Sequence, residues 1–283
     1  MPTNADRRKT LFELVPEGMP VTRAWLAGQD SGFDRHGVDN LVKSGLLVSV
    51  APGVYTRPAT RLTWQGLVSA LQNVLRSDLT VGGLSALELH GFAHYLPLSS
   101  RRTIHLYGKD NLPKWLNTVV RDTQFVRHLP LPGLGSTGLI NQEYDTAGGS
   151  FHAFEDPGPY EGRWPFTMSS PERAFLELLA DIPGGISFAH ADELLQGMTS
   201  LSPRRLTALL EKCQSVKVRR LFYWLTERHT HAWAKKLPPP DNLDELGLGS
   251  GKRELAKGGK LDAKYLITVP EDMWTPPTRT TGA

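Results

Sequence analysis

Five polar residues near the N-terminus could do the chemistry of DNA recognition. Arg35, His36, Asp39, Asn40 and Lys43 recur at spacings that would place them on one face of a helix. Arginine and asparagine carry paired hydrogen-bonding groups that match the major-groove edges of guanine and adenine. Arg35 and Asn40 are therefore the first candidates for base contact, with His36 beside them.

A second group of basic residues suits the phosphates of a DNA backbone, which position a protein without reading sequence. This group comprises Arg7, Arg8, Lys9, Arg23, Lys43, Arg57 and Arg61. Net charge gives it little support, because residues 1–61 hold 8 Lys+Arg against 6 Asp+Glu, a balance of +2. The alternative is a domain that contacts only other proteins and carries these residues on a solvated face.

Apolar spacing predicts the helices that would position these residues. A first helix begins after Asn4, and Thr22 caps a short second helix. A third helix begins at Ser31 or Asp34 and ends at Gly45. Its apolar residues recur at helical spacing, so they would bury one face and leave the five polar residues on the other.

Two short β-rich runs follow the third helix. Residues 46–50 and 54–57 are joined by Ala51-Pro52-Gly53, a combination typical of a tight hairpin turn. Three helices followed by a hairpin predict a winged helix-turn-helix, which we place at residues 1–61. Such a domain usually inserts its third helix into a DNA groove.

Composition limits the class of protein. The chain has 283 residues, 22% charged and 40% hydrophobic, as in an ordinary soluble protein long enough for two cores. No apolar run reaches the roughly 20 residues of a membrane helix, and the first residues do not resemble a signal peptide. Cys213 is the one cysteine, which excludes an internal disulfide and suits a reducing cytoplasm. We expect a cytoplasmic protein with no membrane partner and a buried packing thiol at Cys213.

Residues 62–274 predict a larger mixed α/β domain, so the fold class of the chain is α+β. Strands are expected at 103–107, 123–129, 150–154 and 261–269, in a mainly antiparallel sheet. A helical block is expected before the last of these strands. Thr63 is predicted to cap a helix that directly follows the wing. The predicted caps of the helical block are Ser169, in a capping box with Glu172, and Ser187, Ser202 and Ser215. Residues 275–283 are expected to form a flexible tail.

Charge is unevenly distributed along this larger domain. Residues 62–200 have 9 Lys+Arg and 14 Asp+Glu, a balance of −5, whereas residues 201–260 have 13 and 6, a balance of +7. The basic region combines a helix expected to carry Lys217, Arg219, Arg220 and Arg228 outward with a glycine-rich segment containing Lys252 and Arg253. These residues are either a functional basic surface or a solvated helix face and a plain turn.

Catalysis is the rival interpretation. Asp262 and Lys264 near a strand resemble half of a metal-dependent nuclease site, which needs further carboxylates around the same metal. Glu254 is the one close candidate in sequence. His90, His94 and His105 match no recognised zinc spacing. We predict no catalytic residue, no metal and no cofactor, and keep a nuclease with a winged-helix targeting domain as the alternative.

Motifs spread over nearly the whole chain resemble those of the AbiEi antitoxins. In order, these are Gly53-Val-Tyr55 in the wing, Ser85-Ala-Leu-Glu-Leu-His90-Gly91, Ser170-Pro-Glu-Arg-Ala174, Val216-Lys-Val-Arg-Arg-Leu221, Leu248-Gly-Ser-Gly-Lys-Arg253 and Asp262-Ala-Lys-Tyr265. Each motif is short, and their order and spacing carry the resemblance.

The resemblance implies a type IV toxin-antitoxin system linked to abortive phage infection. It implies an autorepressor that binds inverted repeats in its own promoter. The protein is expected to be a monomer in solution or to pair on the DNA. It also implies that the C-terminal domain counters a nucleotidyltransferase toxin without forming a stable complex with it. Under that reading, Lys217, Arg219, Arg220, Lys252 and Arg253 are the candidate antitoxin surface.

Overall fold

The computed structural model describes residues 4–29, 33–92, 101–145, 147–153, 163–239 and 251–274. It contains an N-terminal domain and a larger C-terminal α/β domain, and most of its strand pairs are antiparallel. The α+β fold class is confirmed. Within the described residues, no helix is long and apolar enough to cross a membrane.

The N-terminal segment forms the predicted winged helix-turn-helix. Its elements are α1 (Asn4–Leu14), β1 (Val21–Thr22), α2 (Arg23–Gln29), α3 (Arg35–Lys43), β2 (Val48–Ala51) and β3 (Val54–Thr56). The strands form an antiparallel sheet in the order β1-β3-β2. Strand β1 was not predicted, because two residues are too few to show a periodicity of two.

Local sequence fixes the ends of the third helix, α3, and the turn of the wing. Asp34 rather than Ser31 caps α3, since its Oδ1 accepts a hydrogen bond from the Gly37 amide at 2.7 Å. Gly45 (φ +71°) follows the helix, and Gly53 (φ +74°) turns the wing. Both glycines adopt the left-handed conformation that other residues rarely take.

The core of the winged helix extends beyond residue 61. Leu11, Val38 and Tyr55 share it with Trp164 and with residues from the next helix, α4 (Trp64–Asn73). Trp164 is only 4% exposed, although it lies about one hundred positions further along the chain. A cut after Arg61 would therefore expose part of this core.

A six-stranded sheet follows the winged helix. Its strands are β4 (Thr80–Val81), β5 (Arg102–Tyr107), β6 (Thr123–His128), β7 (Leu139–Asp145), β8 (Ser150–Ala153) and β9 (Arg163–Ser169), in the order β6-β5-β4-β9-β7-β8. Pairs β5/β6 and β4/β9 are parallel, against the mainly antiparallel pairing elsewhere. Strands β4, β7 and β9 were not predicted, and Pro165 within β9 weakens its strand signal. A short helix, α6 (Leu116–Val119), lies between β5 and β6.

The remaining elements are mostly helical. They are α5 (Gly83–Leu89), α7 (Pro171–Ala180), α8 (Phe188–Gly197), α9 (Pro203–Lys212), α10 (Val216–Thr226), β10 (Lys260–Asp262) and β11 (Ile267–Val269). Thr63, Ser187, Ser202 and Ser215 cap their helices as predicted. Cys213 is buried at the end of α9, as expected.

The predicted capping box at Ser169 and Glu172 is wrong. Ser170 caps α7, whereas the Ser169 hydroxyl donates to Glu177 Oε2 at 2.8 Å. Glu177 is fully buried, and its Oε1 also accepts a hydrogen bond from Arg173 Nε at 2.7 Å. Ser169 therefore helps to satisfy a buried carboxylate. Glu172 faces Arg205 instead, at 2.9 Å.

The predicted strand 261–269 is a hairpin rather than a single strand. Asp262 Oδ1 accepts hydrogen bonds from the amides of Lys264 at 3.0 Å and Tyr265 at 2.9 Å. An aspartate that bonds its own following backbone favours a turn. Leu266, with φ at +52°, completes the reversal into β11.

Two compact units make up the chain. One contains Met1–Val81, Leu96–Leu129 and Ile140–Met168, and the other contains Gly82–Tyr95, Pro130–Leu139 and Ser169–Ala283. This division differs from the predicted boundary at residue 61, because α4 and Trp164 pack in the core of the winged helix. The predicted tail, 275–283, lies outside the described residues.

Trp164→Ala should destabilise the winged helix together with the sheet. Removing a buried indole from this core should lower the free energy of unfolding by about 3–5 kcal/mol. Urea unfolding of the full chain measures the change. Leu129→Ala is the control, because Leu129 is 69% exposed and its loss should change little. Equal effects of the two substitutions would contradict the shared core.

Candidate nucleic-acid interface

The outer face of α3 carries the residues predicted to contact DNA. Arg35, His36, Asn40 and Lys43 are all exposed, whereas Val38 on the opposite face is fully buried. The helix therefore has the predicted orientation in the domain. Its exposed face offers hydrogen-bonding groups of the kinds that read base edges, together with a lysine suited to phosphate.

Arg23 joins α3 to the wing. Its Nη2 donates to Asp39 Oδ1 on α3 at 2.7 Å and to the Tyr55 hydroxyl on β3 at 2.6 Å, and its Nε donates to the same hydroxyl at 3.2 Å. The guanidinium also lies 5.7 Å from the centre of the Tyr55 ring. The hydrogen bond with Tyr55 is the largest cause that raises the pKa of Arg23, and the hydrogen bond with Asp39 is the next. One side chain at the start of α2 thus contacts both elements that a groove-binding domain must hold in register.

This arrangement gives Arg23 an internal structural role. Its predicted contact with phosphate stays a prediction. The side chain is 34% exposed, and its Nε and Nη2 are occupied by Tyr55 and Asp39. Its structural role is to position α3 against the wing.

Arg57 is half-buried and contacts α1, and its predicted contact with phosphate stays a prediction. Its guanidinium stacks on the Phe12 ring of α1 at 4.9 Å, and its Nε is buried without a hydrogen-bond partner in the described residues. Burial lowers the pKa of Arg57, and the charge of Glu17 opposes that shift. Arg57 therefore covers α1 with a cation–π contact. Arg7 lies in α1, and its side chain is outside the described part of the chain.

The sequence interpretation missed the junction formed by Arg23, Asp39 and Tyr55. Arg23 and Asp39 were both noted as polar residues, but 16 positions separate them. Tyr55 lies in the Gly53-Val-Tyr55 motif and is 4% exposed, which an alternating strand of three residues does not reveal. Periodicity ranks residues within one element, whereas this contact joins three elements.

The predicted basic helix in the C-terminal region is not an exposed basic face. Arg219 is 8% exposed and Arg220 is 1% exposed, so their predicted outward orientation is wrong. Arg220 Nη1 donates to the Gly251 carbonyl at 2.6 Å and to the Leu266 carbonyl at 3.2 Å. Arg220 therefore fixes the backbone of the segment that leads into the C-terminal hairpin.

The two other basic residues of this region also serve internal contacts. Lys217 Nζ donates to the Ala180 carbonyl at 2.7 Å, which satisfies an acceptor at the end of α7, and burial lowers the pKa of Lys217. Arg228 pairs with Asp192 at 3.2 Å and donates to the Met273 carbonyl at 2.8 Å. Every residue from Val218 to Thr226 is buried, so α10 has no solvated face over this stretch.

Lys252 and Arg253 are exposed, as expected for a basic surface. The Arg253 backbone amide donates to the Leu266 carbonyl at 2.9 Å, which holds this segment beside β11. Burial first and the charge of Arg253 second lower the pKa of Arg220.

The residues proposed for a nuclease site make other contacts. Asp262 forms the hairpin turn, and Lys264 Nζ bonds Glu227 Oε1 at 2.7 Å. Among the residues that the structure describes, no group of three or more His, Cys, Asp or Glu could hold a metal ion. His90 bonds the Ser169 carbonyl at 3.0 Å, while His94 lies outside the described residues.

Comparison of the chain with models of known protein families shows the family to which it belongs. Residues 101–270 match the family described as "Transcriptional regulator, AbiEi antitoxin, Type IV TA system". Residues 4–98 match the "Transcriptional regulator, AbiEi antitoxin N-terminal domain". The chain belongs to the AbiEi antitoxin family. The resemblance inferred from the motifs is thereby confirmed, and the AbiEi chain is a member of a family of transcriptional regulators and antitoxins.

Comparison with solved structures gives a more distant likeness. The AbiEi chain is similar to the crystal structure of the RV2827C protein from Mycobacterium tuberculosis, with 14% identity and a TM-score of 0.48. The match covers 89% of this chain and 86% of that chain. A search of curated proteins found no match.

Arg220→Ala should destabilise the AbiEi chain. The substitution removes the charged donor that bonds the Gly251 and Leu266 carbonyls. The free energy of unfolding should fall by about 1.5–3 kcal/mol. Urea unfolding compares it with Arg253→Ala, which removes an exposed guanidinium and should cost less than about 0.5 kcal/mol. If Arg253→Ala destabilises the chain as much as Arg220→Ala, the structural role of Arg220 is wrong.

Proposed function

We propose that this AbiEi protein represses its own operon by binding inverted repeats in the promoter through α3 and the wing. The single observation that carries the proposal is the exposed face of α3, where Arg35, His36, Asn40 and Lys43 lie together. Family membership supports a role in transcriptional regulation. In this proposal Arg35 and Asn40 contact bases, His36 lies beside them, and Lys43 contacts phosphate.

The dimensions of the domain support insertion into the major groove. An α-helix such as α3 is about 10–12 Å across with its side chains, and the major groove is about 12 Å wide. The Arg23 junction keeps α3 and β3 together, so the wing accompanies the helix onto the DNA. An inverted repeat would receive two copies of the chain, one on each half-site. We propose that the protein is a monomer in solution or pairs on the DNA.

Binding to promoter DNA should depend strongly on salt and on the residues of α3. Arg35→Ala or Asn40→Ala should abolish the preference for promoter over scrambled duplex, because each removes a base-reading group. Lys43→Ala should instead weaken binding to both duplexes and lower the salt slope by about 1. Fluorescence anisotropy over a series of salt concentrations measures all three variants.

Lys235→Ala is the control for this experiment, since Lys235 is exposed but lies in the other compact unit. It should leave both the preference and the slope unchanged. If wild-type protein binds promoter and scrambled DNA equally well, specific repression is wrong. If it binds neither duplex, the domain serves protein contacts instead.

The second part of the proposal concerns the antitoxin activity. We propose that the rest of the chain counters a nucleotidyltransferase toxin in the cytoplasm without forming a stable complex, within a system for abortive phage infection. Lys252, Arg253 and half-buried Lys217 remain candidates for direct contact. The burial of Arg219 and Arg220 favours an indirect role for both, and Arg220 bonds the backbone of the segment that carries Lys252 and Arg253.

The two activities should be separable by point substitutions. Deleting the winged helix is a poor test, because its core includes Trp164 and residues of α4. The triple variant Arg35→Ala, Asn40→Ala, Lys43→Ala removes exposed groups only. It should lose repression of a promoter reporter and still rescue growth from the adjacent toxin. Loss of rescue in a folded triple variant would contradict the division of labour.

The converse variant tests the basic surface. Lys252→Ala with Arg253→Ala should abolish rescue while DNA binding persists, because both side chains are exposed and belong to the other unit. Lys235→Ala with Lys236→Ala is the matched control, since it removes the same charge from exposed positions. Rescue that survives in the first variant, or is lost equally in both, would contradict a specific role for Lys252 and Arg253.

A further inference from the structure

The recognition helix carries an acidic residue on the same face as its candidate base-reading groups. Asp39 lies one turn after Arg35 and one turn before Lys43. A carboxylate in this position is unfavourable near DNA phosphates, because like charges repel. Its presence between two basic residues therefore requires a local explanation.

The contact with Arg23 supplies part of that explanation. Asp39 Oδ1 accepts from Arg23 Nη2 at 2.7 Å, and the same nitrogen donates to Tyr55 at 2.6 Å. Arg23 thus balances the charge of Asp39 and fixes the direction of its side chain. Asp39 remains 42% exposed, and within the described residues its second oxygen, Oδ2, accepts no hydrogen bond.

Asp39 is also close to its two basic neighbours on α3. An aspartate at helical spacing i, i+4 from Arg35 and Lys43 is within reach of either side chain. Among the described residues Asp39 bonds Arg23 and neither of these two, and both of them are exposed. Arg23 is a positioning residue here, since it orients the Asp39 carboxylate.

We infer that Asp39 is a specificity-determining residue that accepts a hydrogen bond from a cytosine amino group in the major groove. This inference rests on the proposed function, since it needs α3 to lie in that groove. Cytosine N4 is a donor at the major-groove edge, and carboxylates are its usual side-chain partners. Arg35, one turn earlier, would read a guanine, so the two residues together would read neighbouring positions.

Selection of binding sites from randomised duplex DNA tests the inference. The full-length wild-type chain should enrich cytosine at one position of each half-site. Asp39→Ala should lower the preference for cytosine at that position by between about 5-fold and 150-fold, the range for one good base contact. Its affinity for unrelated duplex should rise, because a negative charge leaves the interface.

Asp39→Asn provides a second, nearly isosteric variant. Its amide oxygen retains an acceptor for Arg23, and its amino group then faces the DNA as a donor. The preferred base at that position should therefore change from cytosine to one that presents an acceptor. Glu13→Ala is the matched control, since it removes an equal charge from an exposed site on α1 and should leave the base preference unchanged.

The outcomes separate the inference from the function on which it rests. If wild type and Asp39→Ala enrich the same sequence to the same extent, Asp39 is not a specificity determinant, although sequence-specific binding stands. If wild type enriches no sequence, both the inference and the proposed function are wrong. Equal effects of Glu13→Ala and Asp39→Ala would reduce Asp39 to a general charge effect and overturn the inference.

Discussion

The hydrogen bonds of Arg23 with Asp39 and Tyr55 are the constraint that holds α3 and the wing of this protein together. A winged helix reads DNA only if its third helix and its wing keep a fixed relation, because the two approach different parts of the duplex. Here one guanidinium contacts both elements, at 2.7 Å and 2.6 Å. The pair with Asp39 is half-exposed, so its contribution to stability is small. Its importance lies in geometry and in the electrostatics of α3, where it balances the one acidic residue between Arg35 and Lys43.

The C-terminal region uses charge in a different way. Arg220 is inserted among the backbone carbonyls of Gly251 and Leu266, and Arg173 forms a buried pair with Glu177 at 2.7 Å. Arg173 also donates to the carbonyls of Gly135 and Thr137 at 2.7 and 2.8 Å. Breaking one partner of such a buried group is costly because the other is left unsatisfied. These arginines therefore join segments that are distant in sequence. Fewer positive charges are accessible to solvent than the balance of +7 in residues 201–260 suggests.

The AbiEi family joins transcriptional regulation to antitoxin activity in one chain. The exposed residues of α3 and the exposed pair Lys252 and Arg253 belong to different compact units, so substitutions can alter each group separately. A cut at residue 61 would divide a shared core. Trp164 and α4 pack in the core of the winged helix, so the winged helix and the six-stranded sheet depend on the same buried surface.

The sequence by itself determined most of the helices, the family, and the face of α3 that meets solvent. Helix caps such as Thr63, Ser187 and Ser215 depend on residues only three positions apart, and the order of short motifs identified the AbiEi resemblance. Tertiary structure alone decided the sheet order, the parallel pairing of β5 with β6, and the place of Trp164 in the first core. It also decided that Arg23 positions a helix, that Arg57 stacks on Phe12, and that Arg219 and Arg220 are buried. The physical reason is that a basic side chain has the same local signature whether it faces water, a carboxylate or a carbonyl. Its partner is chosen by elements that only folding brings together.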